Sequence, residues 1–160
     1  MYSLSSRVSI RNDGITTVSA DVVVNAANEH LAAGSGVCGY IFKAAGYNEL
    51  SEACEKIGHC DTGNAVITLG FKLPANYIIH AVGPRWHGGN QGEAQLLYSC
   101  YHKSMELAMH HYTPSNSYGL WGTSETLFAR KVAQTSALAN KVFVSITTRW
   151  SEDTTNILYQ

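Results

Sequence analysis

The sequence predicts an α/β protein, a three-layer α/β/α sandwich around a mixed central sheet. Two observations carry this. Short β-branched or apolar runs alternate along the chain with segments whose apolar residues keep helical spacing. The run Val22-Val23-Val24-Asn25-Ala26-Ala27-Asn28 ends in amides, and the turn Gly34-Ser35-Gly36-Val37 then opens into helical spacing. That order places carboxamides and free backbone N–H groups at the carboxyl edge of a sheet, where a helix N-terminus favours an anion such as a phosphate.

The elements follow in order. Residues 7–10 alternate and predict an edge strand, which Asn12-Asp13-Gly14 turns. Residues 21–24 predict a buried strand. Val37, Tyr40, Ile41, Ala44 and Ala45 predict a helix stopped by Gly46, and Leu50, Ala53, Cys54 and Ile57 a second one. Residues 65–69 and 77–82 read as strands joined by a turn through residues 70–74. Asn90 and Glu93 have capping-box spacing before a helix. That helix carries Ala94, Leu97, Tyr98, Tyr101, Met105 and Ala108 on one face, and it ends near His110 and His111 because Pro114 cannot continue it. The two histidines suit a helix C-terminus as cations. A short strand near residues 117–121, a helix over residues 125–139, a strand over 141–146 and a terminal helix opening at Ser151 complete the order.

Length and charge exclude several function classes. A chain of 160 residues reads as one domain, residues 1–160, and its 45% hydrophobic content suits an ordinary core. A net charge of −1 provides no field for nucleic acid or an anionic membrane. Phosphate recognition must then be local and made by oriented amides. No apolar run approaches the roughly 20 residues that span a bilayer. The first residues lack a signal-peptide pattern, so the expected compartment is the cytoplasm. Cys38, Cys54, Cys60 and Cys100 show no C-x-x-C spacing and read as reduced and unpaired. Cys54, His59 and Cys60 lack a fourth ligand at sensible spacing, so no metal site is expected.

Three blocks occur in order: the segment around Asn25, Gly58-His59-Cys60-Asp61-Thr62-Gly63-Asn64-Ala65-Val66-Ile67-Thr68, and Ile78-Ile79-His80-Ala81-Val82-Gly83-Pro84. Together they resemble a macrodomain, closest to the branch of ADP-ribosyl hydrolases and O-acetyl-ADP-ribose deacetylases, with features shared with viral members. The resemblance covers roughly residues 7–110 well and the final third less so. It implies an ADP-ribose pocket along the carboxyl edge of the sheet, no cofactor, and ADP-ribosylated proteins as partners of a monomer.

What the resemblance implies for individual residues follows from their chemistry. The Asn25 amide can donate to and accept from the hydroxyls of the distal ribose, beside Ala26. Asn28 has two readings, a ligand contact or a turn residue that caps its own backbone. Gly34, Ser35 and Gly36 let the main chain approach phosphates, and Val37, Cys38 and Gly39 offer N–H groups at a helix start. His80 reads as a hydrogen-bonded support of the sheet rather than a base. Cys60, Asp61 and Thr62 order a turn. Gly119-Leu120-Trp121-Gly122 resembles the second phosphate loop, with Ser117 before it. The alternative register makes residues 118–121 the strand and starts the loop at Gly122.

Departures bear on activity. Hydrolases of this branch carry Asp two residues after the second glycine, where this chain has Cys38. Its thiol reads either as a small packing group or as a base activated by the helix N-terminus. The family's Gly-Asp-Ile-Thr stands here as Asp13-Gly14-Ile15-Thr16, leaving Asp13 or the Ile15 N–H to meet adenine. Ile146 stands where members place an aromatic over adenine, and Trp150 follows. The expected function is ADP-ribose binding with hydrolysis of mono-ADP-ribose from acidic side chains, or of O-acetyl-ADP-ribose. Asn25, Gly36 and Cys38 are its reaction candidates. The alternatives are a silent ADP-ribose reader and an RNA or poly(ADP-ribose) scaffold, the latter opposed by the charge.

Overall fold

The computed structural model describes residues 8–11, 14–111, 118–123 and 142–147; the first, third and fourth of these segments apart from 14–111 are described as backbone strands. Among the described residues nine elements run in chain order: β1 (Val8–Arg11), β2 (Ala20–Ala26), α1 (Gly36–Ala45), α2 (Tyr47–Ile57), β3 (Ala65–Leu69), β4 (Ala75–Ala81), α3 (Glu93–His110), β5 (Tyr118–Thr123) and β6 (Val142–Thr147). The six strands form one sheet in the order β1-β6-β5-β2-β4-β3. The pair β3–β4 is antiparallel and the other four described pairs are parallel, so the sheet is mixed as expected.

The alternation of strand residues explains the layers. Val23 of β2 and Ile78 of β4 pack with Ile41, Phe42 and Ala45 of α1 and Leu50 and Cys54 of α2. Val22, Val24 and Ile79 point the other way, onto Met105 and Ala108 of α3. A strand buried on both faces reads as a continuous apolar run, which is why residues 22–24 show no polar alternation. Asn25 and His80 continue the parity of Val23 and Ile78, so both side chains enter the α1–α2 side. Both are fully buried there.

The structure corrects three sequence expectations. The segment Gly119–Gly122, expected as a phosphate loop, lies within β5, which pairs with β2 on one side and β6 on the other. Glycine can mark a turn, but a central strand held by two ladders also accommodates it. Asn90 does not cap α3: the N-cap is Gly92, and no side chain caps it. Glu93 instead turns back, accepting the N–H groups of His87 and Gly89 on Oε1 and of Gln91 on Oε2. The buried face of α3 carries Glu93, Cys100, Ser104, Met105 and Ala108, while Ala94 and Tyr98 are exposed. The expected helices over residues 125–139 and from Ser151 lie outside the described residues.

Candidate functional site

The carboxyl ends of β2 and β4 lie side by side, with Asn25 opposite His80 in register. On the other side of β2, Gly122 stands opposite Val24, so β5 ends beside Asn25 as well. Two loops and the start of α1 surround this edge. The first loop, residues 27–35, leaves β2 and returns to α1. The Asn28 carboxamide braces it, its Nδ2 donating to Ala32 O (2.8 Å) and its Oδ1 accepting from Ala32 N (3.1 Å). Both Asn28 groups thus act within their own loop, as the turn reading expects. Leu31 takes a left-handed backbone, φ +55°, while its side chain is buried. Such a conformation costs about 1–2 kcal/mol for a residue with a Cβ, and core burial offsets it.

The second loop, residues 58–64, is latched to the first. Glu29 Oε1 accepts from Thr62 Oγ1 (2.6 Å) and from Thr62 N (3.2 Å), and Cys60 N donates to Glu29 O. These bonds, led by the Thr62 hydroxyl, hold the Glu29 carboxyl below its usual range. His59 Nε2 lies 3.0 Å from Asp61 Oδ1. Cys60, Asp61 and Thr62 therefore order the turn, and Glu29, which sequence spacing did not single out, is the residue that joins the loops.

At the start of α1 the backbone does what the glycines predict. Gly36 has φ +59°, a conformation in which a side chain is strained. A Cβ on Gly39 would lie 2.5 Å from Gly34 O, so Gly39 is required for close approach of helix and turn. Ser35 stands at the N-cap without a side-chain capping bond, and the first turn contains no acidic residue. The N–H groups of Gly36, Val37 and Cys38 precede Gly39, the first residue whose N–H donates within the helix, so they have no intrahelical acceptor. Gly39 N–H, expected to be free, donates at 3.5 Å to Ser35 O.

Asn25 is the centre of the arrangement. Its Nδ2 donates to His80 Nδ1 (3.1 Å) and to Cys38 Sγ (3.5 Å). Its Oδ1 is the single buried side-chain oxygen or nitrogen without a hydrogen-bond partner among the described residues. His80 Nε2 lies 3.0 Å from Thr68 Oγ1, so the histidine supports the sheet as expected. Burial pushes its pKa down from 6.5 to about 4, keeping the ring neutral. The Cys38 thiol points inward and donates to Ala32 O at 3.8 Å, which matches the packing reading of that residue.

The other expected site residues are placed as follows. Ala26 ends β2 and is exposed; Gly34 and Ser35 are exposed in the turn. Gly14 is exposed and accepts from Thr17, whereas the Ile15 side chain belongs to the core. Gly119, Leu120, Trp121 and Gly122 lie in β5, and Ile146 in β6 opposite Gly122. Asp13, Ser117 and Trp150 are outside the described residues.

Comparisons with known proteins identify the family and the fold. The macro domain family model matches residues 24–123. A macro domain-containing protein of Chlorobaculum tepidum is 52% identical over 113 residues, 68% of this chain and 65% of that protein. An O-acetyl-ADP-ribose deacetylase of Citrobacter rodentium is 48% identical over 110 residues, 66% of this chain and 62% of the enzyme. The chain thus spans less than two thirds of the length of these relatives. An Oceanobacillus iheyensis macrodomain solved with ADP superposes with a TM-score of 0.72 at 30% identity, covering 95% of this chain and 88% of that one. A Trypanosoma brucei macrodomain in complex with ADP-ribose gives a TM-score of 0.68 at 25% identity, covering 92% of this chain and 63% of the other. By sequence and fold, the chain belongs to the macro domain family.

Proposed function

We propose that this protein binds ADP-ribose at the carboxyl edge of its sheet and hydrolyses a bond at the distal ribose. Its substrates would be mono-ADP-ribosylated acidic side chains or O-acetyl-ADP-ribose. One observation carries the reading: the unpartnered, buried Asn25 Oδ1. A buried acceptor without a donor costs about 1–3 kcal/mol, and a ribose hydroxyl is a donor of the right kind. The open first turn of α1 supplies N–H groups for a diphosphate without a cationic side chain. The relatives named O-acetyl-ADP-ribose deacetylase, at 46–48% identity, support the hydrolytic part.

The reaction this edge suits is assisted by the substrate. A water held against a ligand phosphate attacks the ester that joins the carboxyl group to the distal ribose. The ester C–O bond breaks, a carboxylate and a ribose hydroxyl part, and the phosphate takes up the proton released. Meanwhile Asn25 orients the sugar and the 34–39 backbone bends the diphosphate. Orientation and fixed dipoles then supply the rate enhancement, with no strong base required. Asn25→Ala is expected to lose most ADP-ribose affinity, measured by calorimetry, and most product release from a mono-ADP-ribosylated protein. Unchanged affinity and rate in that variant would refute the assignment.

A second reading, an ADP-ribose reader without turnover, is favoured by the inward-facing Cys38 thiol, which already bonds to Ala32 O. Binding of ADP-ribose with no product from either substrate class supports the reader; measurable product supports the hydrolase.

A further inference from the structure

We propose that Thr68 and His80 position Asn25, deciding through a chain of hydrogen bonds which end of its carboxamide meets the ligand. The inference rests on the ADP-ribose site proposed above and extends it to two residues that do not touch the ligand.

The chain of bonds starts at main chain. Thr68 Oγ1 lies 3.2 Å from Leu69 O and donates its one proton there. With that proton on Leu69 O, the same oxygen, 3.0 Å from His80 Nε2, has only lone pairs to offer, which assigns the ring proton to Nε2. A neutral imidazole has one N–H, which leaves Nδ1 bare and in need of a donor. The Asn25 carboxamide, 3.1 Å away, satisfies it with Nδ2. With the nitrogen held inward, Oδ1 is left facing away from the ring without a partner. The reverse orientation would set two acceptors 3.1 Å apart in a buried site, a repulsive contact where the dielectric is low.

The surroundings of the ring do not upset this logic. The Phe42 ring packs edge-on against it, with centroids 6.4 Å apart. Cys54 Sγ, 3.9 Å from Nε2, is held neutral by burial, which raises its pKa to about 11, and is a weaker hydrogen-bond partner than the Thr68 hydroxyl at 3.0 Å. The register makes the relay possible: Asn25 stands opposite His80 across parallel strands, and Thr68 is the diagonal neighbour of His80 across the antiparallel pair.

The experiment joins two readouts. In the ligand-free protein, a long-range proton–nitrogen correlation spectrum of labelled histidine reads the His80 tautomer, and Nε2–H is expected. In binding, Thr68→Val keeps the side-chain shape but removes the hydroxyl, so it weakens ADP-ribose binding by about fivefold, the effect of one misplaced hydrogen bond. ADP, which lacks the distal ribose, binds the variant as it binds the parent, showing that fold and phosphate turn are intact. Thr68→Ser restores ADP-ribose affinity. An Nδ1–H tautomer, or equal ADP-ribose binding by parent and Thr68→Val, overturns the proposal. If the parent itself does not bind ADP-ribose, the site assignment fails, while the tautomer still decides the relay.

Discussion

At the scale of single residues, His80 links stability to pH. It is fully buried, and burial lowers its pKa from 6.5 to about 4. Between these values the unfolded chain takes up a proton that the folded chain refuses. The stability from keeping this ring neutral is therefore full above pH 6.5 and is lost as pH falls towards 4. Thermal melts across that window are expected to show a falling midpoint, and His80→Gln is expected to flatten the fall. An equal slope in both proteins would show that the loss comes from other groups. Asn25 is the other residue whose chemistry is set by burial. Its donor is held by neighbours while its acceptor has no partner, so in the proposed site affinity for a hydroxylated ligand would reside in one oxygen.

At the scale of elements, the start of α1 is the part on which the proposed phosphate contact depends, and its glycines are not interchangeable. Gly39→Ala would bring a Cβ to 2.5 Å from Gly34 O and force the turn away from the helix. ADP-ribose affinity measured by calorimetry is expected to fall by about tenfold or more, since misplaced donors lose most of their value. The loop before α3 makes a separate prediction. Glu93 accepts its own N–H and those of Gln91, His87 and Gly89, which hold its pKa near 2 rather than 4.5. Its stabilisation is present above pH 4.5 and is lost as pH falls towards 2. Glu93→Gln should show a shallower fall of melting temperature with acid than the parent, and an unchanged slope would contradict this. Local sequence made much of this scale legible. Apolar spacing and Gly46 define α1 and α2 closely, and the β-branched run marks β2. Gly119 and Gly122 misled because pairing on both sides, a non-local fact, decides that they are strand. Glu93 misled because its donors, the N–H groups of His87, Gly89 and Gln91, lie in the loop behind it, where no helical spacing rule looks. Asn25 was legible as an amide at a strand end. Its orientation was not, because that depends on His80 and Thr68 from two other strands.

At the scale of the whole molecule, the near-neutral charge and the chosen donors make a coupled prediction. With 11 basic and 12 acidic side chains, the protein provides little long-range attraction for an anion. If N–H groups at close range bind the diphosphate, ADP-ribose affinity should change by less than about threefold over a tenfold rise in salt. A steep loss would point to cationic side chains instead. β2 and β4, whose carboxyl ends form this edge, are packed against helices on both faces. The most direct test of the whole account is a calorimetric titration of the protein with ADP-ribose and, separately, with ADP. The account predicts saturable binding of both, with ADP-ribose tighter because the distal ribose reaches Asn25 Oδ1. Equal affinities, or no heat from ADP-ribose at millimolar concentration, would contradict it.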